Sequence, residues 1–269
     1  MKDPFLEYFG MSKTPFGKDL SKEEFFNFPQ LEDLGEVIRL TVNDRSMCLV
    51  SGSSGSGKTT GARAFLEELP HQQYKIIYLG QDQRASGLFA RLADALGLRA
   101  ELSRNYRSLH ISKRLENEVL AGGKEIVLLV DETHMLEKSA LEELRMLTNS
   151  EIDRRSLLSI ILLGQIWIRD RLRYRELEAL NQRLRLRYAL EWLTEKQTAQ
   201  YIHHHLLLAG CSEALFTTDA LKQIFLASGG LLRPINNIAF ACLVKSRSSN
   251  KKTIDGALVK RIVQEQEVL

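Results

Sequence analysis

A glycine-rich motif that directly follows a short apolar run constrains this chain more than any other feature of its sequence. The apolar run is residues 47–50, and residues 52–59 read G-S-S-G-S-G-K-T, which fits the pattern G-x-x-x-x-G-K-[ST]. The run is typical of a buried strand, and the spacing of residues 59–69 predicts a helix. A strand, a glycine-rich turn and a helix in this order predict a phosphate-binding P-loop.

The residue types in this motif suit ATP or GTP bound with Mg2+. Glycines let backbone N–H groups turn towards phosphate oxygens, and the N-terminus of the following helix adds positive potential. We expect Lys58 to reach the outer phosphates and the Thr59 hydroxyl to ligate Mg2+. The residues predicted to contact the nucleotide are Gly52, Ser53, Ser54, Gly55, Ser56, Gly57, Lys58, Thr59 and Thr60.

Polar side chains follow two further apolar runs, 125–130 and 157–163. Asp131 and Glu132 end the first run, where an open α/β sheet places chemistry beside a ligand. We expect Asp131 to hold Mg2+, directly or through water, and Glu132 to orient and polarise the attacking water. Gln165 follows the second run and is predicted either to sit between the γ-phosphate and this water or to be an ordinary turn residue.

The order of predicted elements divides the chain near residue 190. Before this point strands alternate with helices, and the continuous apolar strands (47–50, 75–79, 125–130 and 157–163) predict an α/β fold with a parallel sheet between helices. After it, Thr194 and Gln197 form a predicted capping box, and only helices follow. We therefore predict a phenylalanine-rich N-terminal arm (1–28), an ATPase core (29–190) and a small all-α lid (191–269).

Composition excludes several other classes of protein. The formal net charge is +3, which permits a nucleic-acid partner without requiring one. The three cysteines, Cys48, Cys211 and Cys242, are too few and too far apart for a disulfide scaffold or a cysteine-rich zinc module, and we expect buried reduced thiols. The longest uncharged apolar stretch, 156–168, is shorter than the roughly 20 residues of a membrane span, so we expect a cytoplasmic protein without a membrane partner.

Two groups of arginines are candidates for contact with phosphates. One group lies in residues 169–187, where an arginine could reach a neighbouring subunit's nucleotide or nucleic-acid phosphates; the alternative is a solvated helical face. The other candidate is Arg233, at the start of a lid helix, which we expect to contact the γ-phosphate; the alternative is a surface arginine at a helix start. Pro234 would then be the first residue of that helix.

These motifs, in this order, resemble the ExeA-like branch of AAA+ ATPases over nearly the whole chain. The matching segments are Y-F-G-M-S-K-T-P-F-G-K-D-L, the P-loop, L-L-V-D-E-T-H-M-L, L-E-E-L-R-M-L-T-N, L-L-G-Q, L-N-Q-R-L-R-L-R-Y, Y-I-H-H-H-L-L-L-A-G and G-G-L-L-R-P-I-N-N. The resemblance implies that the arm packs near the nucleotide base and that Arg233 is the second sensor. It also implies that Arg183 is an arginine finger acting on a neighbouring subunit, with Arg185 and Arg187 as alternatives.

The resemblance includes ATPases carried by transposons, similar in role to TniB, TnsC and Mu B. The sequence stops directly after the predicted lid, at Leu269, whereas the secretion type continues into a membrane span; this favours the transposon type. The implied function is an ATPase that binds ATP and Mg2+, forms a ring or helical oligomer with itself on duplex DNA, and selects targets for or activates a transposase. The alternatives are a cytoplasmic ATPase of a secretion or envelope complex and a nucleotide-dependent switch without a DNA role.

Segments after the second predicted strand and before the third are the expected DNA-facing surface. They are polar and basic, which suits contact with the phosphate backbone and a steep dependence of affinity on salt. An ordinary solvated helix start is the alternative explanation. The candidate DNA contacts are Arg84, Ser86, Arg104, Asn105, Arg107, Lys113 and Arg114.

Overall fold

A parallel sheet lies at the centre of the larger part of the molecule. The computed structural model describes residues 3–17, 22–80, 85–98, 104–148 and 156–267, and in these ranges the sheet has five strands in the order β2-β3-β4-β1-β5. The strands are β1 (Met47–Ser51), β2 (Tyr74–Leu79), β3 (Glu125–Val130), β4 (Leu158–Gly164) and β5 (Leu184–Ala189). All neighbouring strands pair in parallel, which confirms the predicted α/β architecture.

The helices follow the predicted alternation and then continue without strands. In chain order they are α1 (Pro4–Phe9), α2 (Pro29–Asn43), α3 (Lys58–Glu67), α4 (Ala85–Ala95), α5 (Arg104–Leu120), α6 (Lys138–Leu147), α7 (Ile168–Arg171), α8 (Glu178–Arg183), α9 (Glu195–Leu208), α10 (Thr218–Ser228), α11 (Leu232–Ser248) and α12 (Gly256–Glu267). Among the residues described, no helix combines the length and the apolar character needed to cross a bilayer.

The described residues form two compact units. One unit consists of residues 29–54 and 58–190 and contains the sheet; the other consists of residues 1–28, 55–57 and 191–269. In the sheet unit every residue of β1 and β4 is buried, as expected for central strands covered on both faces. Helices α2 and α3 pack closely where glycine permits it: a Cβ on Gly35 would come within 2.5 Å of the Phe65 ring.

In the other unit, the phenylalanines of the N-terminal arm pack against the C-terminal helices. Phe5 lies 5.7 Å from Phe240 between ring centroids, and Phe16 stacks on His205 at 5.3 Å. The capping box predicted for Thr194 and Gln197 is present at the start of α9. Burial of these aromatic rings accounts for the density of phenylalanine near the N-terminus.

The predicted state of the cysteines is confirmed, since Cys48, Cys211 and Cys242 are all buried and free of disulfides. Burial raises the pKa of the Cys48 and Cys242 thiols to about 12. These two thiols are therefore protonated at neutral pH and act as small apolar groups in the core.

Two local predictions were wrong. The segment L-R-L-R-Y is not a helical face but the edge strand β5, where Leu184 is buried and Arg185 and Arg187 are exposed. Alternation of apolar and charged residues is the pattern of an edge strand, and the number of arginines obscured it. Helix α11 begins at Leu232, so Pro234 is its third residue rather than its first. Proline is tolerated there because N–H groups in the first turn lack intrahelical acceptors.

Candidate nucleotide-binding site

The predicted catalytic segments meet at one edge of the sheet. Ser51 pairs with Gly164, and Leu79 pairs with Val130, so the carboxyl ends of β1, β2, β3 and β4 lie side by side. The P-loop follows β1, the two carboxylates follow β3, and Gln165 follows β4. This is the edge at which open parallel sheets bind their ligands.

The glycines of the P-loop adopt backbone angles that other residues rarely take. Gly55 has φ +77° and Gly57 has φ +90°. The Lys58 side chain is buried, and its ammonium donates hydrogen bonds to the carbonyl oxygens of Gly52 (2.9 Å) and Ser53 (2.8 Å). The Lys58 ammonium is therefore held by backbone carbonyl oxygens of the P-loop itself.

Asp131 accepts hydrogen bonds through both carboxylate oxygens. Oδ2 accepts from the Thr59 hydroxyl at 2.8 Å and from the Tyr78 hydroxyl at 3.1 Å, and Oδ1 accepts from the backbone N–H of Glu132 at 2.8 Å. Burial, followed by the nearby Asp131 charge, raises the pKa of Tyr78 to about 12, so this phenol stays a donor. The sequence does not point to Tyr78, because nothing in a strand tyrosine indicates a partner 53 residues away.

Glu132 lies at a strained position beside a buried histidine. Its backbone is left-handed, with φ 50° and ψ 34°, which costs a residue with a side chain roughly 1 kcal/mol or more. Its carboxylate is half exposed, and Oε2 lies 3.3 Å from Nε2 of His134. Strain of this kind at a strand end occurs often at functional sites.

Gln165 meets the same histidine through its backbone. The Gln165 N–H donates to His134 Nδ1 at 3.3 Å, and its carbonyl accepts from the N–H of Ile168 at 3.0 Å. The backbone of Gln165 thus connects β4 to the turn before α7, and its side chain is partly exposed. The predicted contact of this side chain with the water remains a prediction.

The residues present fit a magnesium nucleotide. The Thr59 hydroxyl and the Asp131 carboxylate are adjacent and supply the oxygen ligands that Mg2+ prefers. Ser56 is buried, and its hydroxyl has no hydrogen-bond partner among the described residues. A phosphate oxygen would satisfy that hydroxyl, and the Lys58 ammonium would oppose the phosphate charge.

The three arginines predicted as finger candidates lie on α8 and on the edge strand β5. Arg183 ends α8 directly before β5, whose first residue pairs with Met47 at the amino end of β1. A five-residue strand spans about 13 Å, so Arg183 and the P-loop flank opposite ends of β1. Arg185 pairs with Asp44 at 3.1 Å, and Arg187 donates to Asn181. Within the part of the chain that the structure describes, Arg183 has no hydrogen-bond or ion-pair partner.

Two other arginines of the 169–187 group have structural contacts that sequence analysis missed. The Arg169 guanidinium donates to the Ser51 hydroxyl at 2.6 Å, at the end of β1. Arg171 donates to the carbonyl oxygen of His134 at 2.9 Å. Both arginines therefore join α7 to residues near the candidate site.

Arg233 belongs to the unit that contains residues 55–57. Within that unit, the Arg233 N–H donates to the carbonyl oxygen of Gly55 at 3.2 Å, and the Arg233 side chain is exposed. A Cβ on Gly55 would lie 2.8 Å from the Arg233 Cβ, and a Cβ on Gly57 would lie 2.8 Å from Leu232. The start of α11 thus packs directly on the glycines of the loop.

The predicted DNA contacts are only partly described. Arg84 lies outside the described residues, Ser86 is in the first turn of α4, and Arg104, Asn105 and Arg107 are in the first turn of α5. Lys113 is exposed on α5. Arg114 is already paired with Glu118 at 2.6 Å, which competes with any contact to a phosphate.

Comparison with known proteins relates the segment that holds this site to a protein family. Residues 41–172 match the model of the AAA domain family, and this range holds the P-loop, Asp131, Glu132 and Gln165. Over 253 residues it is 32% identical to General secretion pathway protein A of Aeromonas hydrophila, which supports the resemblance to ExeA-like AAA+ ATPases. The match covers 92% of this chain and 46% of that protein, so the chain spans less than half of its relative.

Solved structures with the same fold include proteins of several kinds. The Orc1 protein of Aeropyrum pernix, solved in complex with DNA, has a TM-score of 0.67 and 18% identity, covering 94% of this chain and 67% of that chain. The RuvB Holliday junction branch migration motor of Thermotoga maritima has a TM-score of 0.55 and 18% identity, covering 93% and 72%. Both similarities show the P-loop AAA+ fold alone.

Proposed function

We propose that this protein is an ATPase that assembles on duplex DNA and selects targets for, or activates, a transposase. The observation that carries the enzymatic part of this proposal is the cluster of Lys58, Thr59, Asp131 and Glu132 at one edge of the sheet. An AAA domain with these side chains generally binds and hydrolyses a nucleotide. The DNA and transposase parts rest on the sequence resemblance and on charge.

In this proposal each residue of the cluster has a separate task. Lys58 binds the outer phosphates, and Thr59 and Asp131 hold Mg2+, which when bound would neutralise charge that develops on the phosphates. Glu132 orients and polarises the attacking water, and Gln165 contacts that water from the end of β4. Gly52 to Thr60 surround the phosphates with backbone N–H groups, and Arg233 responds to the γ-phosphate.

Self-assembly follows from the position proposed for the arginine finger. Arg183 flanks the end of β1 opposite the P-loop of its own sheet, and its guanidinium is exposed and unpaired among the described residues. An arginine in this place can complete a phosphate site only on a second copy of the chain. A ring or a helical oligomer presents such a neighbour to each subunit.

Duplex DNA is the partner favoured by the basic segments around α4 and α5. Lys113 supplies an exposed positive charge on α5, and the first turn of that helix holds Arg104 and Arg107. The structurally similar Orc1 protein was solved in complex with DNA. Contacts with the phosphate backbone would make binding tolerant of sequence and sensitive to salt.

A second candidate function has comparable support. The 32% identity to General secretion pathway protein A favours an ATPase that acts on protein partners in a secretion or envelope complex. Under this alternative the same site hydrolyses ATP, but Lys113 and the basic residues near it have no DNA to contact.

Duplex binding in the presence of MgATP separates the two candidates. We expect the Glu132→Gln variant with MgATP to retain a fluorescent duplex at low salt, and the retention to fall steeply as salt rises. Lys113→Gln should weaken binding and reduce the salt dependence, whereas Lys222→Gln, at an exposed position of α10, should leave both unchanged. ATP turnover that is indifferent to DNA, without ATP-dependent retention, would exclude the DNA proposal and favour the protein-directed one.

A further inference from the structure

His134 lies between the proposed catalytic carboxylate and the end of β4. Its side chain is 2% exposed, Nδ1 accepts from the Gln165 N–H at 3.3 Å, and Nε2 lies 3.3 Å from Glu132 Oε2. Because Nδ1 accepts a hydrogen bond, the proton of the neutral ring is on Nε2. The nitrogen that carries the proton is therefore the one that lies 3.3 Å from the Glu132 carboxylate.

The surroundings fix this ring. Trp167 packs edge-on against it, with ring centroids 4.8 Å apart and an interplanar angle of 82°, and Arg171 binds the His134 carbonyl at 2.9 Å. Burial lowers the pKa of His134, against the opposing effect of Glu132, so the ring is neutral at physiological pH. A neutral, immobile ring can donate one hydrogen bond in one fixed direction.

Glu132 needs such a partner because its own backbone does not fix its carboxylate. The side chain is half exposed, and its left-handed backbone is held by the hydrogen bond from its N–H to Asp131. The rotatable bonds beyond Cα leave the carboxylate free to turn towards solvent. Among the described residues, His134 is the group that pairs with it.

We propose that His134 is a positioning residue that orients the Glu132 carboxylate and links its orientation to the backbone of Gln165 at the end of β4. This inference rests on the proposed ATPase function. His134 touches neither the nucleotide nor the attacking water; it acts by limiting the directions available to Glu132. A misdirected base lowers the rate of the chemical step and leaves nucleotide binding intact.

Two substitutions at His134 separate its contact with Gln165 from its contact with Glu132. In His134→Asn the amide oxygen lies near the position of Nδ1 and accepts from Gln165, but no donor reaches Glu132. In His134→Gln the amide nitrogen lies near the position of Nε2 and donates to Glu132. We expect the asparagine variant to lose about 10- to 100-fold in kcat with an unchanged KM for ATP, and the glutamine variant to stay within about 3-fold of wild type.

Several outcomes would overturn the proposal. Wild-type turnover in His134→Asn would remove any role for the contact with Glu132. An equal loss of kcat in both variants, with the same drop in the unfolding midpoint, would mean that His134 only stabilises the fold and does not position Glu132. Glu132→Gln serves as the reference: if it hydrolyses ATP at the wild-type rate, the proposed ATPase site fails, irrespective of His134.

The ring can also be observed without nucleotide or turnover. In protein labelled with 15N-histidine, we expect the ring of His134, identified by its absence from His134→Asn, to be the Nε2–H tautomer. Its Nε2 resonance should shift in Glu132→Gln, because the charged acceptor is removed. The Nδ1–H tautomer, or a resonance unaffected by Glu132→Gln, would contradict the inferred hydrogen bond.

Discussion

The Thr59 hydroxyl donates a hydrogen bond to Asp131 at 2.8 Å, although the two residues are 72 positions apart in the chain. The bond joins the first turn of α3 to the end of β3, and it brings a half-buried hydroxyl and a buried carboxylate together. We propose that this pair binds the magnesium ion of a nucleotide, since a P-loop threonine and a carboxylate at a strand end supply the oxygen ligands that Mg2+ prefers.

Removal of the Thr59 hydroxyl should raise the magnesium requirement. Thr59→Val keeps the shape of the side chain but loses the oxygen ligand, so we expect the Mg2+ concentration for half-maximal turnover to rise about 10-fold or more. Thr59→Ser keeps the hydroxyl and should stay close to wild type. A magnesium titration of ATP turnover measures both; an unchanged requirement in Thr59→Val would argue against this residue as a ligand.

Substitution by alanine should destabilise the protein more at Gly55 than at Gly10, a glycine with a similar φ and more open space around it. Gly55 and Gly10 both have positive φ, but a Cβ on Gly55 meets Arg233 whereas a Cβ on Gly10 meets nothing within 4 Å. We expect Gly10→Ala to lower the free energy of unfolding by about 1 kcal/mol, and Gly55→Ala by more. Urea denaturation compares the two; equal losses would mean that contact with Arg233 adds nothing.

The stability of the unit formed by the arm and the C-terminal helices should depend on pH through His205. Burial, and then the charges of His204 and Lys13, lower its pKa from 6.5 to about 4. In the unfolded chain this histidine is protonated below about pH 6.5, whereas in the folded chain it becomes protonated only below about pH 4. Stability falls as the pH drops through this interval, by about 3 kcal/mol at most.

Replacement of this histidine tests that assignment. His205→Phe should flatten the dependence of the unfolding midpoint on pH between 6.5 and 4. His203→Phe, on the exposed face of the same helix, should retain the wild-type dependence. The same slope in His205→Phe and wild type would assign the acid sensitivity to other groups.

Complementation between two inactive variants should reveal an arginine donated in trans. Lys58→Ala lacks a working P-loop and Arg183→Ala lacks the proposed finger, so each alone should hydrolyse ATP at least about 100-fold more slowly than wild type. A mixture contains interfaces where an intact P-loop meets an intact Arg183, and it should regain a measurable fraction of turnover. Arg247→Ala, at an exposed position of α11, is the control. A mixture as inactive as its components would contradict the trans assignment.

Sequence order predicted strands β1 to β4, the P-loop and the carboxylate pair because each is encoded by neighbouring residues; the edge strand β5 was missed. Tyr78 and Arg169 escaped prediction because their partners are brought close only by sheet pairing, and the contact of Arg169 with Ser51 spans 118 positions. The contact of His134 with the Gln165 backbone, 31 positions away, escaped prediction for the same reason. The missed helix α1 had a local signal, since Asp3 accepts from the Phe5 N–H and Pro4 begins the helix. The roles assigned to Gln165, Arg183 and Arg233 and the DNA contacts remain predictions.

The most direct test of the ATPase proposal compares ATP binding and turnover in wild type and Glu132→Gln. Binding of MgATP is measured by calorimetry, and phosphate release is followed at a protein concentration where the chain is oligomeric. We predict equal affinity for MgATP and a loss of about 100-fold or more in turnover for Glu132→Gln, because the carboxylate acts on water and does not hold the nucleotide. Equal turnover in the two proteins, or failure of the wild type to bind MgATP, would contradict the account.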